Sequence, residues 1–188
     1  MGFRVSWMAV SGVNSDALLA HFGFRDTGVL DAANEALFSI AELATGWTVL
    51  WSNDEAFASD ETAALLSQYG PVLAVCVNET CMHSTAVMFE NKTSRWRLHH
   101  EGDKVLDHLV IEGNLPFQAS AMIADLRAKQ AHATDVDFMF DIPLEVARSI
   151  CGFKHDLTEL DGIEPAFTVV EAGGQRRQTG LWNRLMGR

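Results

Sequence analysis

FRVSWMAV near the start of the chain, WTVLWS at residues 47–52 and VLAVCV at 72–77 are short runs rich in Val, Trp and Leu. Each is bounded by polar or glycine-bearing residues and is too short for a core helix. β-Branched and aromatic side chains pack well on a pleated surface, so a chain that repeats such runs is committed to a sheet. In the first run Phe3, Val5 and Trp7 alternate with Arg4, Ser6 and Met8, the pattern of a strand with one buried face. Residues 36–43 resume the alternation. Further strands are expected at 84–90, 94–100 and 105–111, joined by turns at Asn91-Lys92-Thr93 and at 101–104.

Helices fill the gaps. Asn14 or Ser15 caps a short helix over 16–22 that Gly23 stops, and a polar loop with Asp26, Gly28, Asp31 and Asn34 follows. Ser59 caps a second helix whose first turn holds Asp60 and Glu61 and whose buried side is Leu65, Leu66 and Tyr69. Asn114 caps a longer helix to about Gln130. Residues 135–140 alternate acidic and apolar side chains, and Asp141 caps a last helix over 142–151 closed by Gly152.

The order strand, helix, strand, strand, helix, strand is the ferredoxin-like arrangement of split βαβ units. The expected fold is therefore α+β. A mostly antiparallel sheet with a ferredoxin-like βαββαβ N-terminal half is extended by further strands and covered by C-terminal helices. Residues 1–158 form one such domain, which 188 residues at 48% hydrophobic content can supply with a core. Residues 159–188 read as a weakly structured basic tail.

Charge narrows the partners. The net charge is −11, and all of residues 172–188 contain four arginines and no acid. The rest carries 10 basic against 25 acidic residues, a balance of −15, which repels polyanions and makes nucleic acid a poor partner. No run approaches the roughly 20 apolar residues that cross a bilayer, so no stable membrane insertion is expected. Three cysteines are too few for a disulfide framework and suit a reducing cytoplasm.

Several clusters invite chemistry. Cys76 and Cys81 lie five positions apart and point to opposite faces of a strand, whereas Cys81 and His83 share a face. Two ligands fall short of the four, or three plus water, that zinc takes. Asp135 and Asp137 could hold a hard cation from one side of a strand, but a solvated edge followed by an N-cap accounts for them too. A two-residue turn at Gly102-Asp103 would set Leu98 opposite Asp107 and bring His100 diagonally beside Asp107, where a carboxylate could orient a general base. Near a hairpin turn a solvated polar cluster is the commoner outcome. Nucleotide-binding and hydrolase signatures are missing. No cofactor is expected.

The stretches FRVSWMAVSG, GWTVLWSND and FDIPLEVARSICGFKHD together resemble a set of small acidic bacterial proteins. The resemblance implies a compact bacterial cytoplasmic domain and carries no activity, cofactor or functional residue. The expected function is thus non-enzymatic: a protein-binding domain, of the immunity type in its most concrete form, that presents acidic and aromatic surface to a basic protein. Trp51, Asp54, Glu55 and Trp182 are the candidate contact residues. The alternative is a small-molecule-binding protein or enzyme with a pocket near His100 and Asp107.

Overall fold

The computed structural model describes residues 2–105, 107–156 and 166–173. In chain order the elements are β1 (Arg4–Ser11), α1 (Ser15–Phe22), β2 (Phe24–Leu30), β3 (Phe38–Glu42), β4 (Trp47–Ser52), α2 (Asp60–Leu66), β5 (Val72–Asn78), β6 (His83–Glu90), β7 (Thr93–Glu101), β8 (Val110–Gly113), α3 (Phe117–Gln130), α4 (Phe138–Cys151) and β9 (Thr168–Ala172). The nine described strands form one sheet in the order β2-β9-β3-β4-β1-β5-β6-β7-β8, and every neighbouring pair is antiparallel. The fold is α+β. No helix among the described residues is long and apolar enough to cross a membrane.

Helices cover both faces of this sheet. Val5, Trp7 and Ala9 of β1 point to one side, where they join Val49, Trp51, Leu73 and Val75 under α3, α4, Phe153 and Phe167. Met8 and Val10 point to the other, against Leu18, Phe22, Phe57, Ala63 and Leu66 of α1, α2 and the loop between β4 and α2. The single buried face expected for β1 is therefore corrected to two. A central strand with helices above and below loses the polar side of its alternation, which is why FRVSWMAV is so apolar. Trp7 and Trp51 are directly opposed across β1 and β4, and the Phe153 ring meets Trp7 edge-on at 5.2 Å.

Caps at the first two helices sit where the sequence puts them. The Asn14 side chain accepts from the Ala17 N–H, Gly23 takes the left-handed conformation after α1, and Ser59 accepts from the Thr62 N–H. On α2, however, Thr62, Ala63 and Leu66 are buried while Leu65 and Tyr69 face solvent. The long helix begins after Pro116, which makes no side-chain cap, rather than at Asn114.

Three further expectations are corrected. The polar loop after α1 is β2, an edge strand held by β9 through pairs such as Arg25 with Glu171 and Asp26 with Val170. Its side chains are mostly exposed, so no alternation marks it. β9 itself lies inside the segment expected to be a weakly structured tail and slots between β2 and β3. The last helix starts one turn earlier than Asp141. Asp137 is its N-cap, accepting from the N–H groups of Met139 and Phe140, so residues 138–140 are helix and not strand.

Candidate functional site

Among the described residues, no helix covers the outer part of one sheet face. α2 packs on β5 and β6, and β7 and β8 continue past it, so the outer half of this face is open. The register sets its side chains in three rows across β5–β8: Asn78, His83 and Glu101; Cys76, Thr85, His99 and Val110; Ala74, Val87, Arg97 and Glu112. Arg4 of β1 flanks Asn78. Apart from Ala74 and Val87, which α2 shelters, these residues are half-exposed or exposed.

Hydrogen bonds knit the open face together. Thr85 Oγ1 lies 3.2 Å from His83 Nε2 and 3.0 Å from His99 Nδ1. His99 Nε2 lies 2.7 Å from Glu101 Oε1, and the Glu101 backbone N–H donates to His108 Nδ1 at 3.0 Å. The rings of His83 and His99 are 5.0 Å apart, those of His99 and His108 5.9 Å. The hydrogen bond from His99, ahead of Lys104, holds the Glu101 carboxyl below the usual range. Burial, with His99 beside it, lowers the His83 imidazole from its ordinary value.

At the rim stands the loop after β4. Glu55 accepts from Arg4 at 3.0 Å and from Asn78 Nδ2 at 2.7 Å, and the bond from Arg4 keeps its carboxyl low. Asp54 shapes the same loop, its carbonyl accepting from the Ser6 hydroxyl and its carboxylate from the Ala56 N–H. Arg97 bridges to Asp60 of α2 and Glu112 of β8. Asp54 and Glu55 thus lie half-exposed at this rim. Trp51 does not: it is fully buried against Phe153 and Phe167, and that assignment is withdrawn. Trp182 lies outside the described residues.

The remaining candidates disperse. Cys76 is half-buried on the open face, and burial, reinforced by Glu55, Cys81 and Asp54, pushes its thiol up to about 11, far from a reactive thiolate. Cys81 is exposed in the turn before β6. Among the described residues no three His, Cys, Asp or Glu side chains converge to hold a metal ion. Asp135 is exposed and accepts from the Thr134 hydroxyl, whereas Asp137 caps α4, so the two do not share a cation site.

His100 points to the covered face and is fully buried. Its Nε2 meets Asp137 Oδ2 at 3.0 Å and its Nδ1 meets the His108 carbonyl at 2.7 Å. Asp107, its expected partner, is exposed in an eight-residue connection, because β8 begins only at Val110 and pairs it with His99. The hairpin register is corrected by four residues: no two-residue turn forms at Gly102-Asp103. Both His100 nitrogens face acceptors, which locks β7 to the start of α4 and leaves nothing for a substrate.

A separate cavity of about 610 Å³ opens between α1 and the end of α2, lined by Val13, Leu18, His21, Leu66 and Tyr69 among others, none charged. Burial lowers the His21 imidazole there.

Fold and site define a helix-covered antiparallel sheet with one open, histidine- and carboxylate-lined face. The chain matches no protein-family model, no curated protein and no solved structure, so the resemblance of three segments to small acidic bacterial proteins stands without a matched family.

Proposed function

We propose that this chain is a bacterial cytoplasmic protein-binding domain of the immunity type, built on a ferredoxin-like centre, and that it presents the open sheet face to a basic protein. One observation carries the reading: the outer part of the sheet face that α2 leaves open is rimmed by Asp54, Glu55, Asp60, Glu101 and Glu112, against Arg4, Arg97 and Lys104. All three cations are already engaged by carboxylates of the same set. An incoming Lys or Arg would compete for these exposed pairs at little cost, since solvent screens them.

Among the described tryptophans, Trp7, Trp51 and Trp96 are core residues and Trp47 is half-buried, so they play no part. Long-range attraction between an acidic face and a basic partner acts mainly on the association rate. The test uses the full chain as bait in native bacterial lysate at low and high salt, followed by kinetics with the protein recovered. A basic protein whose association slows steeply with salt, and which Glu55→Lys with Glu112→Lys no longer captures, supports the proposal. Salt-independent association, or capture unchanged by the double variant, refutes it.

A further inference from the structure

The chain of bonds around Thr85 has a direction. Ionised Glu101 only accepts, so the Nε2 of His99 that faces it at 2.7 Å must carry the ring proton. A neutral imidazole then has its lone pair on Nδ1, which lies 3.0 Å from Thr85 Oγ1 and accepts the hydroxyl proton. With that proton directed at His99, the contact at 3.2 Å from His83 Nε2 is completed by His83 donating to Thr85 Oγ1. A hydroxyl whose proton leans on an imidazole, oriented in turn by a carboxylate, is the arrangement by which weak oxygen nucleophiles are activated. It recurs on unrelated folds and is recognised by geometry rather than sequence position. Here the three residues come from two neighbouring strands, and the side chains stand half-exposed on the open face.

We propose that Thr85 is an acyl-accepting nucleophile: His99 is its general base, Glu101 is the positioning residue for His99, and His83 Nε2 holds Thr85 Oγ1 with its proton toward His99. The substrate class is a neutral or cationic carboxylic ester, because Glu55 and Glu101 flank the site and the nearby cations are already paired. In the acylation step Thr85 Oγ1 bonds to the ester carbonyl carbon while its proton passes to His99 Nδ1. The tetrahedral adduct expels the alcohol oxygen, which leaves with that proton. Water then attacks the acyl-threonine, giving one proton through His99 back to Thr85 Oγ1 and releasing the acid. The net change is ester plus water to acid plus alcohol, with no further reactant. This activity goes beyond partner binding and is tested without any partner.

The experiment treats the full-length chain with 4-nitrophenyl acetate, follows nitrophenolate release, and maps acetyl groups by digestion and mass spectrometry. Acetyl on Thr85 is the expected result. Thr85→Ser should keep it, Thr85→Val should lose it, and His99→Gln should slow acylation at least about 100-fold, the usual contribution of a general base. Glu101→Gln should slow it less, and Glu101→Asp, which keeps the carboxylate, should recover most of the rate; a merely structural role would favour the closer isostere Gln. The anionic 4-nitrophenyl hemisuccinate should react more slowly than the acetate. Wild-type protein that acquires acetyl only on lysines or the N-terminus overturns the proposal without recourse to any variant. So does acylation of Thr85 that proceeds equally fast in His99→Gln.

Discussion

Asp137 joins the two halves of the covered face, and its removal makes a quantitative test of that assignment. One carboxylate oxygen accepts from Met139 and Phe140 N–H as the N-cap of α4, and the other meets the buried His100 Nε2. Replacement by alanine removes a cap, worth about 1 kcal/mol. It also strands a ring nitrogen of a fully buried residue, which costs about 1–3 kcal/mol more. The expected loss for Asp137→Ala is therefore about 3 kcal/mol. With a urea m-value of about 2 kcal/mol/M for a chain of this size, the unfolding midpoint should fall by about 1.5 M at unchanged m. Asp137→Asn separates the two roles. Asparagine caps helices as well as aspartate does, and its amide can donate to a neutral His100 Nε2, so it should lose only about 1 kcal/mol. Equilibrium urea unfolding of the three proteins, followed by tryptophan fluorescence and circular dichroism, checks both values. An alanine variant within about 0.5 kcal/mol of wild type, where substitutions far from any special feature fall, would refute the bridging role. An asparagine variant as unstable as the alanine one would refute the division of labour between cap and imidazole.

Other expectations follow from the same contacts. Asn91 and Lys92 both have positive φ in the β6–β7 turn, where the second position favours glycine, so Lys92→Gly should raise stability by about 0.5–1 kcal/mol in urea unfolding. Trp51→Ala should cost about 3–5 kcal/mol, because it empties a fully buried site, and should lower the thermal midpoint without specifically abolishing partner capture by the molecules still folded. His21 and His83 are depressed from the ordinary 6.5, so the unfolded chain binds their protons first. Stability is then full above 6.5 and falls as pH drops through the lowered values; thermal melts of His83→Gln should show a flatter acid slope than wild type. Glu42 and Glu55 are depressed from 4.5 and add a second loss below that pH.

Local chemistry explains what the sequence discloses about the fold. The runs around Trp7, Trp51 and Val75 are strands because their side chains are too apolar and too β-branched or aromatic to sit elsewhere, and Asn14, Gly23 and Ser59 mark helix ends by satisfying backbone groups a few residues away. What escapes is non-local. β2 is polar and exposed, and it is a strand only because β9 supplies hydrogen bonds from more than 130 residues further along the chain. Asp137 outcompetes Asp141 as the cap because His100, from another element, holds the same carboxylate in place. Asp107 is passed over for the same reason: the His108 carbonyl and ring nitrogen anchor the end of β7, and the strand that follows must start later.

The open face itself depends on one irregular residue. From the Asn91-Lys92 turn the ladder begins with Glu90 opposite Thr93 and Phe89 opposite Ser94, and had that register continued, Thr85 would face Leu98. Between Met88 and Phe89 the register shifts, so Met88 faces Trp96 and leaves Arg95 as the additional residue. A slip of one residue exchanges the two faces of a strand. It is this bulge that sends Trp96, Leu98 and His100 beneath α4 and turns Arg97, His99 and Glu101 outward beside His83 and Thr85. Without it, a guanidinium, an imidazole and a carboxylate would lie under α4, while a tryptophan and a leucine would lie in solvent, an arrangement the hydrophobic term opposes by about 1.5–3 kcal/mol per large apolar side chain. Burial of Trp96 and Leu98 on the covered side therefore selects the bulge, and the bulge in turn assembles the histidine cluster. The candidate site is set by the packing of the opposite face: deleting Arg95 leaves Met88 opposite Trp96 in a regular ladder and should keep both, whereas replacing Trp96 and Leu98 together by serine should lose both.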